Sequence, residues 1–280
     1  MEVRLKYAFA KFRFQDYGLF NDPNLEAGIV HMVWLDFEEH INLYRMRGPM
    51  FMERSGIFNS ADFGLTFASS LGPDLDEAFR GLAGNKYGTR NGSLAVGVYN
   101  GTGYHGDERN VNKTVEVRLT WRPIPDLLKG FQVAGMIIHG EGNQPDEGGK
   151  PPMWKTYTAF TSYQAPRVTL TGQYVWGEGN QRGTWVEPDD PSQAIPYTGY
   201  SFFGEAKLGS RKKWRVIANY DWFERVADSG NDSSFTYLEA AIGYDLGKSN
   251  ILMLDFDRRA WRDPLRPTDH RVQAVFQLMF

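Results

Sequence analysis

Three arginines, Arg45, Arg47 and Arg54, fall close together in the segment Glu38–Ser60, EEHINLYRMRGPMFMERSGIFNS. Guanidinium groups gathered at a constriction replace part of an anion's hydration with N–H donors, and rings of such residues select anions. The same segment carries Glu38, Glu39, Glu53 and His40. Its three arginines are therefore balanced by three glutamates, and a surface loop whose charges only pair with each other is the competing reading. The segment is also rich in Met and aromatic residues, which favours folding inward over lying in solvent.

Further cations recur inside strand-like stretches: Arg118, Arg122, Lys207, Arg215, Arg225, Arg259 and Arg271. They share one face with Glu116, Glu205, Asp221, Glu239, Asp255 and Asp257. Arg4 and Lys6 join that face if the first strand carries a bulge near Phe9–Lys11. A wet interior lined by both signs sets a transverse field across polar solutes without naming one.

Nothing points to catalysis or to a cofactor. The five histidines (His31, His40, His105, His139 and His270) are dispersed and show no HExxH spacing. There is no GxSxG, phosphate-loop or dinucleotide fingerprint, and without cysteine there is no thiolate chemistry or disulfide framework. A short repeat, Gly140-Glu141-Gly142-Asn143-Gln144 and Gly177-Glu178-Gly179-Asn180-Gln181, reads as repeated hairpin rims. Its spacing matches no calcium loop with alternating oxygen ligands.

The elements that must position these residues are strands. Alternation of period two runs from end to end; Val115, Val117, Leu119 and Trp121 face away from Glu116, Arg118, Thr120 and Arg122. The pattern predicts about thirteen strands: 3–16, 25–37, 61–70, 92–100, 114–122, 131–141, 154–164, 168–178, 198–209, 214–225, 235–246, 250–261 and 269–280. A soluble sandwich would turn the apolar face inward, whereas a membrane barrel turns it to lipid. Strand lengths near ten residues suit a tilted membrane crossing. Short turns at 164–167, 209–213 and 246–250 alternate with longer loops at 101–113, 142–153, 179–197 and 226–234, the asymmetry of outer-membrane barrels.

Trp121, Trp154, Trp176, Trp214, Trp222 and Trp261 lie near predicted strand ends, as aromatic girdles require. Trp214 and Trp222 share a face about 26 Å apart along the strand, roughly 19 Å of membrane height after tilt. A terminal Phe280 closing an alternating strand fits an outer-membrane sorting signal. With thirteen strands the count is odd, so at least one strand is expected upstream, unless Glu77–Thr89 supplies a fourteenth. A mean hydropathy of −0.47 and no long apolar stretch exclude a helical membrane protein. A net charge of −3 gives no reason to expect nucleic acid.

Five stretches carry a family likeness: Phe14-Gln15-Asp16-Tyr17-Gly18, Trp34-Leu35-Asp36-Phe37-Glu38, Met50-Phe51-Met52-Glu53-Arg54, Ser60-Ala61-Asp62-Phe63-Gly64 and Val96-Gly97-Val98-Tyr99-Asn100-Gly101. In this order they resemble the phosphate-selective porin O and P family, over most of the chain and most strongly between about residues 12 and 105. The resemblance implies a sixteen-stranded antiparallel β-barrel in the bacterial outer membrane, usually a homotrimer. It further implies passage of phosphate, pyrophosphate or other anions, and a third outside loop folded into the pore. On that reading 1–280 is one barrel domain, incomplete at its start, with loop 38–60 as the pore constriction. Arg45, Arg47 and Arg54 become the eyelet, Arg54 having the best surrounding motif. The partners are membrane lipid and small anionic solutes. Two alternatives stay open: a general diffusion porin with little ionic selectivity, and a soluble β-rich carbohydrate-binding protein.

Overall fold

The computed structural model describes residues 5–79, 87–145, 150–247 and 250–278. Alternation of β-favouring residues gives fifteen strands among the described residues: β1 (Ala8–Arg13), β2 (Phe20–His31), β3 (Ala61–Leu71), β4 (Gly92–Tyr99), β5 (Thr114–Trp121), β6 (Phe131–Glu141), β7 (Met153–Ala165), β8 (Val168–Glu178), β9 (Val186–Glu187), β10 (Asp190–Ala194), β11 (Pro196–Leu208), β12 (Trp214–Arg225), β13 (Phe235–Gly247), β14 (Asn250–Trp261) and β15 (Asp269–Gln277). Thirteen form one antiparallel meander in chain order; β9 and β10 make a separate hairpin inside the loop between β8 and β11. Among the described residues β1 pairs only with β2, and β15 only with β14.

Which face is buried decides the class. On β5, Glu116, Arg118 and Thr120 are 0%, 1% and 2% exposed, while Val115, Leu119 and Trp121 are 40%, 52% and 57% exposed. On β14, Asp255 and Asp257 are buried while Leu252, Leu254 and Phe256 are exposed. A soluble core does the reverse. Polar inside and apolar outside is the arrangement of a membrane-spanning barrel, in which lipid covers the outer face and every strand amide bonds to a neighbour.

The sheet wraps around an inserted segment, residues 32–60, which leaves and rejoins it where Met32 donates its N–H to Ser60 O at 3.2 Å. One buried cluster joins Trp34, Phe37, Phe51 and Met52 of that segment to Ala95, Met136, Phe160, Val175, Phe223 and Phe235, residues spread from β4 to β13. Only a strongly curved sheet brings those strands to one insertion.

Aromatic residues mark both ends of the outer face of β12. Trp214 meets Tyr244 at 4.9 Å between ring centres near the short-turn end, and Trp222 stacks on Tyr200 at 5.2 Å near the long-loop end. Trp154 departs from the girdle expectation. It points inward and is fully buried, and Trp261 is packed against the inner cluster.

Several features differ from the sequence reading, beginning with the first strand, which spans Ala8–Arg13 rather than 3–16. The second strand ends at His31 rather than residue 37, because Val33–Ile41 forms helix α1. Its apolar residues Trp34, Leu35, Phe37 and Ile41 cluster on a helical face that alternation mimics over a few residues. The expected bulge near Phe9–Lys11 is absent from the continuous β1–β2 register; the irregularity lies on β2 between Asn21 and Asn24. Of the proposed fourteenth strand Glu77–Thr89, residues 80–86 lie outside the described residues; 77–79 are helical, and Thr89 makes an isolated bridge with Asp74. Arg4 and Phe280 also lie outside the described residues.

Leu254 sits mid-strand on the outer face of β14. Leu254→Arg is expected to lower the stability of the vesicle-folded protein by about 2–4 kcal/mol, read from denaturant-dependent folding into lipid.

Candidate functional site

The inserted segment is built from α1, a single 3-10 turn at Arg45–Arg47, and a short helix α2 (Phe51–Ser55). No side chain of its own caps α1. The barrel wall supplies the cap: the Glu116 carboxylate accepts the backbone N–H groups of Val33 at 3.2 Å and Trp34 at 3.0 Å. These are orphan donors of a helix N-terminus, where a negative charge also suits the helix dipole. Arg118 completes the clamp by donating Nε–H to Val33 O at 3.2 Å and lying over the Phe37 ring at 4.6 Å. Further along α1, the Trp34 indole donates to Glu38 at 2.8 Å, Trp34 meets Phe160 edge-on, and Tyr87 donates its hydroxyl proton to Asp36.

Beyond α1 the contacts become ionic. Tyr44 donates to Glu205, which Arg215 also holds at 2.9 Å while reaching Asp245 at 2.5 Å; Lys207 stands 3.8 Å from Glu205. Arg45 pairs with Glu39 at 3.2 Å and Glu53 at 2.5 Å. Arg47, almost fully buried, lies 3.1 Å from Glu239 and 3.7 Å from Asp255. Arg54 bonds Asp221 at 2.5 Å and rests on the Tyr237 ring at 4.2 Å. Gly56, at φ +86°, then closes α2 in the left-handed conformation that glycine adopts without strain.

The three arginines singled out in the sequence each already hold a carboxylate, Arg45 within the inserted segment and Arg47 and Arg54 on the sheet. The other inward cations divide in three. Lys207, Arg215 and Arg271 are carboxylate-paired, Arg271 with Asp257 at 2.6 Å. Arg122 donates to the carbonyls of Thr89, Lys129 and Tyr87 and so ties down the short-turn end. Arg225 and Arg259 have no carboxylate in ion-pair range among the described residues. Arg225 lies over Trp185 at 4.2 Å, and Arg259 lies among Phe235, Tyr237 and Trp261.

Open space remains beside this loop. A cleft of about 370 Å³ runs between α2 and β13–β15, lined by Pro49, Glu53, Arg54, Tyr237, Asp257, Arg259, Asp269, His270 and Arg271. A second cleft of about 350 Å³ opens among the long loops beside Asn59, Arg109, Asn143 and Arg182. No group of three His, Cys, Asp or Glu side chains among the described residues is placed to hold a metal.

The short repeat has a structural role that its spacing did not reveal. Its two copies touch where Asn143 N–H donates to Gln181 O at 2.9 Å. The second copy then latches the end of the insertion: Gln181 N–H donates to Ile57 O, its side-chain oxygen accepts from Asn59, and its amide reaches the buried Asp62 carboxylate at 3.1 Å. Tyr44 and Asp62 escaped the sequence reading. Tyr44 lay in a run with no period, and Asp62 is one of many acids at strand ends.

Comparison with known proteins agrees with the architecture. No protein-family model matches the chain, and no curated protein matches it. Among solved structures it is similar to OmpF of Salmonella typhi, solved with daunomycin (14% identity, TM-score 0.60, 91% of this chain and 73% of that one). It is also similar to OmpT of Vibrio cholerae (12%, 0.54, 85% and 66%) and to a porin (12%, 0.54, 92% and 77%). The chain therefore spans just under two thirds of the OmpT chain. At these identities the likeness is one of fold.

Glu116→Ala would leave two buried amides without an acceptor. The expected result is local loss of about 3 kcal/mol, seen as faster hydrogen exchange at the start of α1 and new protease cleavage within 32–60. Burial pushes the Glu38 carboxyl up to about 7. The folded state then holds this proton more tightly than the unfolded chain between about pH 4.5 and 7, so packing of α1 should weaken as pH rises through that window. Glu38→Gln should flatten that dependence, measured by the same exchange at pH 5 and pH 8. The fold on which these groups are mounted is that of outer-membrane porins, a transmembrane antiparallel β-barrel.

Proposed function

We propose that this chain is a porin of the bacterial outer membrane, a passive diffusion channel rather than an enzyme, through which small anions such as phosphate or polyphosphate pass. The observation that supports the channel reading is the inverted burial: a charged face curved inward around the inserted segment 32–60, and an apolar face outward. Solutes would move down their gradients and exchange part of their hydration for brief contacts with inward side chains, weak enough to release them. Loop 38–60 would form the constriction, with Arg54 beside the cleft against β13–β15. Membrane lipid would cover the outer face, and a homotrimer is the expected assembly.

One observation favours a second reading, a general porin with little ionic preference. Arg45, Arg47 and Arg54 each hold a carboxylate. A neutralised cation draws anions much less than a bare one, and at physiological salt the residual field fades within about 8 Å.

Planar-bilayer recording across a KCl gradient separates the two. An anion-selective zero-current potential, with chloride current blocked by added phosphate, supports the first reading; a potential near zero without block overturns it. Arg54→Gln frees the Asp221 charge and should move the potential toward cation preference.

A further inference from the structure

The cleft against β13–β15 differs in composition from an anion filter. Three elements form its charged walls, and each contributes one carboxylate and one guanidinium: Glu53 and Arg54 from α2, Asp257 and Arg259 from β14, Asp269 and Arg271 from β15. Four of the six are engaged, Arg54 with Asp221, Arg271 with Asp257, and Glu53 with Arg45. The remaining two, Arg259 and Asp269, stand directly opposite one another in the register of β14 and β15.

Opposite charges facing each other across an antiparallel pair attract and ordinarily bond. These two form no ion pair, because Trp261 engages each of them separately. The Arg259 guanidinium lies 5.5 Å from the Trp261 ring centre and 5.0 Å from that of Phe235. The Asp269 carboxylate accepts the Trp261 indole N–H at 3.4 Å. Arg259 Nε is buried with no hydrogen-bond partner. A positive and a negative group are therefore held side by side, each restrained by an aromatic ring and neither satisfied by the other.

We propose that this cleft is a binding subsite for a zwitterionic solute of amino-acid size, its carboxylate on Arg259 and its ammonium on Asp269. The volume of about 370 Å³ lies at the small end of the range for small-molecule sites. Stacking leaves the N–H edge of a guanidinium free for a carboxylate and fixes its plane before the ligand arrives. Tyr237 and Pro49 give the wall an apolar stretch for a short side chain. The balance of charge decides the class: a simple anion drawn to Arg259 also meets three carboxylates, whereas a zwitterion satisfies both signs at once. The proposal rests on the porin reading only for the route by which the solute reaches the cleft.

Equilibrium dialysis of the full chain, folded in detergent, with radiolabelled L-alanine tests it. Acetate, methylammonium and inorganic phosphate serve as competitors. L-alanine should bind about tenfold more tightly than either single-charge probe, because it makes two charge-assisted contacts instead of one. Asp269→Asn should reduce alanine to the level of acetate, while acetate, relieved of one repelling carboxylate, should bind no more weakly than before. Arg259→Gln should reduce alanine to the level of methylammonium, with methylammonium itself binding no more weakly than before. Arg90→Gln, on an exposed pair with Asp126, should change nothing. Heat-modifiable migration on a gel reports folding of each variant, and Arg259→Lys, which keeps the charge, should retain intermediate affinity.

Acetate or phosphate binding as tightly as alanine would overturn the subsite, as would unchanged alanine affinity in Asp269→Asn. Swelling of liposomes in the same solutes reads the channel independently. Binding without flux would sink the porin reading alone, and flux without a preference for alanine in dialysis would sink the subsite alone.

Discussion

A backbone amide in hydrocarbon has no water to bond, so each strand must find its partners in its neighbours and show lipid only side chains that tolerate it. The rest of the molecule follows from that constraint. Apolar residues are spent on the outer face of β5, β12 and β14, and the inner face is left to Glu116, Arg118, Asp221, Glu239 and Asp255. Such a face cannot close on itself as a dry core. It needs either water or a segment that answers its charges.

The inserted segment 32–60 supplies that answer in two chemically different ways. Against β4–β7 it packs apolar side chains, Trp34, Phe37 and Met52, and enters through the carboxylate cap of Glu116. Against β11–β15 it presents Tyr44, Arg47 and Arg54 to Glu205, Glu239 and Asp221. Buried pairs of this kind contribute little net stability over apolar packing, but losing one partner is costly. The ionic side therefore fixes where the loop lies, and the apolar side supplies most of its burial. What stays open is the cleft beside α2 and the space among the long loops.

This division also limits what the arginines can do. Two of them, Arg47 and Arg54, are bound to wall carboxylates more than 160 positions away in the chain, and Arg45 is bound to Glu39 and Glu53 within the loop. Tyr99, whose ring lies across Gly97, shows the same economy on the wall: a side chain at Gly97 would overlap its hydroxyl. Most large inward groups are matched by a specific neighbour; among the described residues, Arg225, Arg259 and Asp269 are charges that make no ion pair.

The sequence by itself determined the barrel class, the thirteen strands of the sheet and the sorting of side chains to its two faces. Period-two alternation is a local property, and lipid on one side with water on the other writes it into every strand. Local pattern failed where helix and strand look alike over a few residues, as at Val33–Ile41, and where a tryptophan near a strand end turned inward, as at Trp154. Only the tertiary structure decided which arginines are neutralised, that Glu116 caps a helix from the barrel wall, and that Trp261 holds Arg259 and Asp269 apart. Those outcomes depend on sheet curvature and register, which bring residues distant in the chain within bonding distance and leave no mark on the spacing of any one strand.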